Sequence, residues 1–379
     1  MIVLAVTLTA SLALGAPPPD TARGTVRPDT IWSGALGVPK QLLVYLPPSY
    51  HRDRSRRYPV AYYLHGAWGA EDNWVALGRI DRTLDSLIAA GLPEMIVVLP
   101  DGDDGWYTTW NALNNTAACR ADTARREPAQ TYCVTWPKYD EYIARELVAH
   151  VDSAYRTMAQ REHRGVAGLS MGGYGAVSLA LRYPDAFAAA ASHSGVLSPR
   201  YAGPVPYAQP TRYASRVDVV RGRYSPALWE LMRPVFGRDT VGWRARDPAI
   251  LVRHLVSSGA RMPALFVDVG RDDPFLEQNR AFRAELTALG IPVQYREWPG
   301  KHDWAYWRAH VVESLGWMAG IIGGAGSGVT GQGPGGWKGE RPAAARSADE
   351  AAAAKPRRLS IPLAPGPWPV TPFRPYFHA

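Results

Sequence analysis

Ser170 stands in Gly165-Val166-Ala167-Gly168-Leu169-Ser170-Met171-Gly172-Gly173-Tyr174-Gly175-Ala176, a hydroxyl surrounded by glycines. The short apolar run before it reads as a buried strand, and Ala176-Val177-Ser178-Leu179-Ala180-Leu181 continues as a helix. A serine on so sharp a turn needs neighbours without side chains, because the turn crowds backbone against backbone. Gly168-Leu169-Ser170-Met171-Gly172 is the G-x-S-x-G pattern that exposes a nucleophilic hydroxyl. The plain alternative is a glycine-rich turn with a serine cap, and the rest of the chain must supply partners.

A serine hydroxyl is a poor nucleophile at neutral pH. It needs a base to take its proton and a carboxylate to orient that base. Of nine histidines, His302 in Pro299-Gly300-Lys301-His302-Asp303-Trp304 follows the last candidate strand and precedes the last candidate helix. That is the position of the base in a Ser…Asp…His chain order. His310 falls within a helix and His254 on a helix flank, while His51, His163 and His378 read as surface or tail residues. The carboxylate should follow the preceding strand, where Asp272 and Asp273 are adjacent in Gly270-Arg271-Asp272-Asp273-Pro274. One could orient His302 while the other caps the helix that begins near Pro274. Capping logic alone assigns Asp273 to the cap. Asp268 lies inside the strand. The oxyanion needs two N–H donors: Met171 after the nucleophile, and Ala67 in the turn Leu64-His65-Gly66-Ala67-Trp68-Gly69.

These residues need strands that end together. Apolar runs at 41–46, 58–64, 95–99, 164–169, 187–193, 264–269 and 292–297 alternate with amphipathic stretches at 74–90, 139–156, 172–183, 275–289 and 303–319. The pattern predicts a mostly parallel sheet with helices on both faces and its ligand site at the carboxyl ends of the strands. The chain has 379 residues, 46% of them hydrophobic, and a formal net charge of +8 spread along it. No basic block interleaves with aromatics, so a solvated basic surface is expected and no nucleic-acid partner. No cofactor or metal motif is present. Residues 1–22 read as a signal peptide and linker, with an apolar core too short for a membrane anchor followed by Gly15-Ala16. The missing basic residues ahead of that core point to a longer natural N-terminus. No other segment reads as a transmembrane helix. With export, Cys119 and Cys133 form a loop-stapling disulfide. Residues 23–321 form the catalytic domain. Residues 322–379, rich in Gly, Ala, Pro and Arg, read as a disordered tail.

The runs YPVAYYLHGAWG, MIVVLPDG, YDEYIARELVAHVDSAYRT, GVAGLSMGGYGA, VGRDDPFLEQNRAF and GKHDWAYW together resemble the esterase D-like branch of the α/β-hydrolases over residues 25–320. That branch includes feruloyl and acetyl esterases, S-formylglutathione hydrolases and mycolyltransferases. The resemblance implies the α/β-hydrolase fold with Ser170 as nucleophile, His302 as base, and Ala67 and Met171 as oxyanion donors. It also implies Asp273 as the acid, since the family's acid is the third residue after the glycine. S-formylglutathione hydrolases usually carry a histidine before the nucleophile, where this chain has Leu169, and a cytosolic role sits badly with export.

The expected activity is that of a secreted or periplasmic serine esterase acting on a small or carbohydrate-linked ester. An acyltransferase using the same residues on a sugar or lipid hydroxyl is the alternative, and a non-catalytic glycan- or surface-binding protein is a third reading. Residues 112–137 read as an insertion beside the site, and 198–246 as a small cap. Asp101, Asp103 and Asp104 read as a solvated acidic loop, since their spacing misses the calcium-loop pattern. Trp68, Trp106, Trp110, Trp136, Trp298, Trp304 and Trp307 cluster near the strand ends, some for the core and some for a pocket.

Overall fold

Five of the strands are buried on both faces, and such strands must be covered on both sides. The computed structural model describes residues 23–110, 116–121 and 129–323. The expected signal peptide at 1–22, nearly all of the expected tail at 322–379, and His378 lie outside the described residues. The strands are β1 (Thr25–Ser33), β2 (Val38–Leu46), β3 (Val60–Leu64), β4 (Ile96–Pro100), β5 (Arg164–Leu169), β6 (Ala189–His193), β7 (Ala264–Gly270) and β8 (Gln294–Trp298). They form one sheet in the order β1-β2-β4-β3-β5-β6-β7-β8. β3 to β8 pair in parallel, and β1 and β2 extend one edge antiparallel.

Side chains alternate between the two faces of a strand. On β3, Val60, Tyr62 and Leu64 join one buried cluster, and Ala61 and Tyr63 join the other. The helices Met171–Arg182, Pro248–Ser258 and Leu276–Ala288 cover the first face, and Ile80–Ala89 and Trp304–Ile322 the second. Burying each such large side chain contributes about 1.5–3 kcal/mol, so both faces are held mainly by hydrophobic burial.

Two elements differ from expectation. β1 was not foreseen. The expected helix at 74–90 is two pieces, Asn73–Ala76 and Ile80–Ala89, because Gly78 packs against Trp74 and Trp304 and Arg79 turns the chain at φ 54°. The expected cap at 198–246 folds into the helices Val217–Arg221, Pro226–Phe236 and Thr240–Ala245 in the connection between β6 and β7. It packs inward through Trp243, stacked on Trp229 at 5.6 Å and set against Phe236 at 4.7 Å. The described parts of the 112–137 insertion are the helices Thr116–Ala121 and Ala129–Tyr132 with the segment after them, and the Cys119–Cys133 disulfide joins them.

Candidate active site

β5 ends at Leu169 and the next helix starts at Met171, so Ser170 makes the whole turn. Its backbone adopts φ 53°, ψ −116°, a conformation that costs of order 1–3 kcal/mol and persists only where its surroundings enforce it. They do. The Ser170 N–H donates to the His193 carbonyl at 2.9 Å, and the Ser170 carbonyl accepts from the Tyr174 N–H at 3.0 Å. A side chain on Gly168 would collide with the Gly172 backbone, and one on Gly172 with the Leu64 carbonyl. The glycines therefore let β5, its helix and β3 approach closely enough to raise the serine at the strand end.

Two further loops meet it. The loop after β7 carries Asp273 and the loop after β8 carries His302. The Asp272 N–H donates to the Gly300 carbonyl at 2.9 Å, and the Arg271 N–H to the Trp298 carbonyl at 2.8 Å, so the loops run pressed together. His302 Nε2 lies 2.9 Å from Ser170 Oγ, and His302 Nδ1 lies 2.8 Å from Asp273 Oδ2. With the ring proton on Nδ1, the imidazole donates to Asp273 and accepts from the serine. The other oxygen, Asp273 Oδ1, accepts the Phe275 N–H at 2.8 Å. One oxygen thus orients the base and the other holds the turn that leads into the helix Leu276–Ala288, whose cap residue is Phe275 and takes no side-chain cap. Asp272 remains exposed. The imidazole is packed edge-on against Phe275 at 4.9 Å and Trp307 at 5.0 Å, which fixes its plane while leaving its side chain 22% exposed.

The turn after β3 adjoins the nucleophile: a Cβ on Gly66 would sit 3.4 Å from Ser170 Cβ. Trp68 takes a positive φ of 59° and donates its N–H to Asp104 Oδ1 at 2.7 Å. His65 holds the same turn from beneath, with Nδ1 2.8 Å from the Gly66 carbonyl and Nε2 accepting the Gly102 N–H at 2.9 Å. Among the described residues, the N–H groups of Ala67 and Met171 take no hydrogen-bond partner. Met171 is the first residue of its helix, where orphan N–H groups are the rule and where the helix dipole favours negative charge.

The model of the family described as "Putative esterase" matches residues 33–318. The chain belongs to this esterase family. An esterase of Mycobacterium tuberculosis is 31% identical over 281 residues, which is 71% of this chain and 54% of the relative. The chain thus spans about half the length of the mycobacterial relatives it matches. An acetyl esterase of Caldicellulosiruptor saccharolyticus is 26% identical over 258 residues, 68% of this chain and 82% of the relative. Among solved structures, a ferulic acid esterase superposes with a TM-score of 0.58 at 27% identity, covering 79% of this chain and 99% of the other.

In this esterase-family chain two buried polar clusters support the strand ends, and neither was anticipated. Lys40 on β2 is fully buried, with Nζ 2.5 Å from Asp101 Oδ2 and 2.8 Å from Asp103 Oδ1. Burial alone would push its ammonium pKa down, and the two carboxylates more than reverse that. Asp101 is held below the usual carboxylate range by Lys40 and His65 despite its burial, while Asp103 is pushed up by burial and by the Asp101 charge. The expected solvated acidic loop is therefore corrected. Asp103 is buried because a lysine from the neighbouring strand neutralises it, and Tyr139 donates to its other oxygen at 2.7 Å. Among the described residues, no group of three or more His, Cys, Asp or Glu side chains could hold a metal ion.

The second cluster lies behind the nucleophile. His193 and Asp268, both fully buried, approach to 2.7 Å between Nδ1 and Oδ2. His193 Nε2 is 2.8 Å from Ser314 Oγ, and Tyr306 donates to Asp268 Oδ1 at 3.1 Å. Asp268 is thus spoken for inside the core. Of the other histidines, His310 stacks on Trp298 at 5.4 Å, His163 lies 2.7 Å from the Ile322 carbonyl, and His254 and His51 are exposed. Trp106 is fully buried against Tyr174 and Phe236, whereas Trp68 and Trp136 are exposed. No helix among the described residues is long and apolar enough to cross a membrane.

Proposed function

We propose that this chain is an exported serine esterase that hydrolyses carboxylic esters through an acyl-enzyme. The observation that carries the reading is the unbroken contact from Ser170 Oγ through the His302 ring to Asp273, at 2.9 and 2.8 Å. As Oγ bonds to the ester carbonyl carbon, its proton passes to His302 Nε2. Asp273 keeps the ring oriented and stabilises the imidazolium. The oxyanion is met by the Ala67 and Met171 N–H groups. When the C–O bond breaks, the leaving alcohol takes the proton from Nε2. Water then attacks the acyl carbon with His302 again as base, the acid leaves, and Ser170 regains its proton.

Export is supported by the apolar start of the chain and by the Cys119–Cys133 bond, which suits an oxidising compartment. The partly exposed His302 can serve an alcohol acceptor as well as water, which keeps acyl transfer as the second reading. The test is hydrolysis of a p-nitrophenyl acyl ester series and methyl ferulate by the wild type, Ser170→Ala and His302→Ala, with and without an added alcohol. Turnover lost in both variants supports the scheme. Near-normal turnover in Ser170→Ala overturns it, and ester formation with the alcohol in preference to acid release selects acyl transfer.

A further inference from the structure

Indoles are large and apolar, and a folded chain exposes them fully only at some cost in solvation. Among the described residues three tryptophans are exposed: Trp32 at 66%, Trp68 at 62% and Trp136 at 52%. All three lie at one end of the sheet. Trp68 follows the carboxyl end of β3. Trp32 sits in the β1–β2 hairpin, and because Leu42 pairs with Pro100 at the end of β4, that hairpin projects past the same carboxyl ends. Trp136 lines one cleft of ≈ 500 Å³ together with Trp32 and the hairpin turn. From Ser170 at β5, the sheet order passes Trp68 at β3 and the Asp101–Asp104 loop at β4 before reaching this cleft at β2. Three strand spacings amount to about 14 Å.

The cleft walls are fixed. Glu146 accepts from Ser33 Oγ at 2.6 Å and from the Ala35 N–H at 2.8 Å, which locks the hairpin turn. On the other side Lys40 Nζ donates to the Thr131 carbonyl at 3.2 Å, and Cys133, disulfide-bonded to Cys119, is itself part of the wall. Walls held in this way lose little freedom when a ligand binds. Besides the two indoles the lining carries Arg120, Gln130 and Thr135, together with Leu36, Val38 and Pro39. Aromatic side chains combined with hydrogen-bonding ones match a pyranose ring, which has apolar C–H faces and a hydroxyl rim. A lipid chain would need a continuous apolar trench, and here the partly exposed Asp101 and Asp104 lie between the cleft and Ser170 in the sheet order.

We propose that the Trp32–Trp136 cleft binds a saccharide unit of a polymeric substrate whose ester group lies at Ser170. This rests on the esterase reading and assigns its substrate class: esters carried on a glycan chain long enough to span both places.

The experiment compares wild type with W32A/W136A on p-nitrophenyl acetate, long-chain p-nitrophenyl esters, acetylated xylan and acetylated glucomannan, together with calorimetric binding of the same polymers to Ser170→Ala protein with and without the two tryptophan changes. The expected result is p-nitrophenyl acetate turnover equal in both enzymes, which also reports correct folding. On at least one polymer kcat/KM should fall about tenfold through KM, with the same loss in binding, as expected for two lost ring contacts. Equal activity and equal binding of wild type and double variant on both polymers overturns the inference while leaving the esterase reading intact. A loss confined to long-chain p-nitrophenyl esters puts a lipid in the cleft and also overturns it. A wild type inert toward p-nitrophenyl acetate, with Ser170→Ala still binding a polymer through the two tryptophans, overturns the esterase reading and retains the saccharide site.

Discussion

The Asp104 carboxylate accepts the N–H of Trp68 at 2.7 Å and so ties the loop after β4 to the turn that holds Ala67. Trp68 takes its positive φ inside that turn, and the bond to Asp104 helps to keep it there. Asp104→Ala should lower kcat on p-nitrophenyl acetate by roughly ten- to a hundredfold, part of what an oxyanion donor contributes. Asp104→Asn, which still offers an acceptor oxygen, should recover most of it. A steady-state comparison of the three proteins decides. Equal loss in the Ala and Asn variants would mean that the charge, and not the hydrogen bond, matters.

Ser170→Ala and His302→Ala should each reduce kcat by about 10⁴–10⁶-fold, and the double variant should lose little more, because the pair acts as a unit. Asp273→Asn should cost about 10⁴-fold by presenting the wrong partner to His302 Nδ1. It should leave thermal stability nearly unchanged, because the amide oxygen can still take the Phe275 N–H. Fluorophosphonate labelling followed by peptide mapping should place the adduct on Ser170 in wild type alone.

How far these residues could be read from the chain depends on whether their signal is local. β5 and the turn after it are continuous in sequence, so Arg164–Leu169 and Ser170 were legible to the residue. β1 was not. Thr25–Ser33 contains Pro28 and many polar residues, a composition tolerated only because the strand lies at the sheet edge. Lys40 gave no local hint, since a lysine in a strand ordinarily points to water. Its burial depends on Asp101 and Asp103, which arrive from β4, and only the antiparallel register of β2 and β4 brings them together. His193 and Asp268 are a pair for the same reason, through the register of β6 and β7. The choice between Asp272 and Asp273 came from the family resemblance, because the chain alone offered both.

Replacing Lys40 with methionine should destabilise the fold by about 3–5 kcal/mol at neutral pH, since it takes the cation from the buried Asp103 and one of two partners from Asp101. Urea unfolding measures this directly. Lys40→Met/Asp103→Asn should recover part of the loss by removing the Asp103 charge.

Glu71, beside the Ala67 turn in sequence, is pushed up from 4.5 to about 7 by burial and by the Asp101 charge. A carboxyl group whose folded-state pKa is raised binds its proton more tightly in the folded chain. Its contribution is present in full below its unfolded value and is lost as pH rises through 7, by about 3 kcal/mol in total. Glu71→Gln should therefore match wild type near pH 4 and be the more stable protein at pH 8. Paired urea titrations at the two pH values check the sign, and a wild type that gains on the variant as pH rises would contradict it.

The connection between β6 and β7 supplies no member of the Ser170–His302–Asp273 contact. It reaches that contact at second hand, through Tyr224 beside Phe275 at 6.4 Å. The reacting atoms are fixed by strand ends and glycine contacts that leave almost no room for variation, whereas this segment is anchored in the core by Met232, Phe236 and Trp243 and meets them only by way of Phe275. Changes in that segment can therefore reach the His302 ring through Phe275 without altering any group that bonds to it.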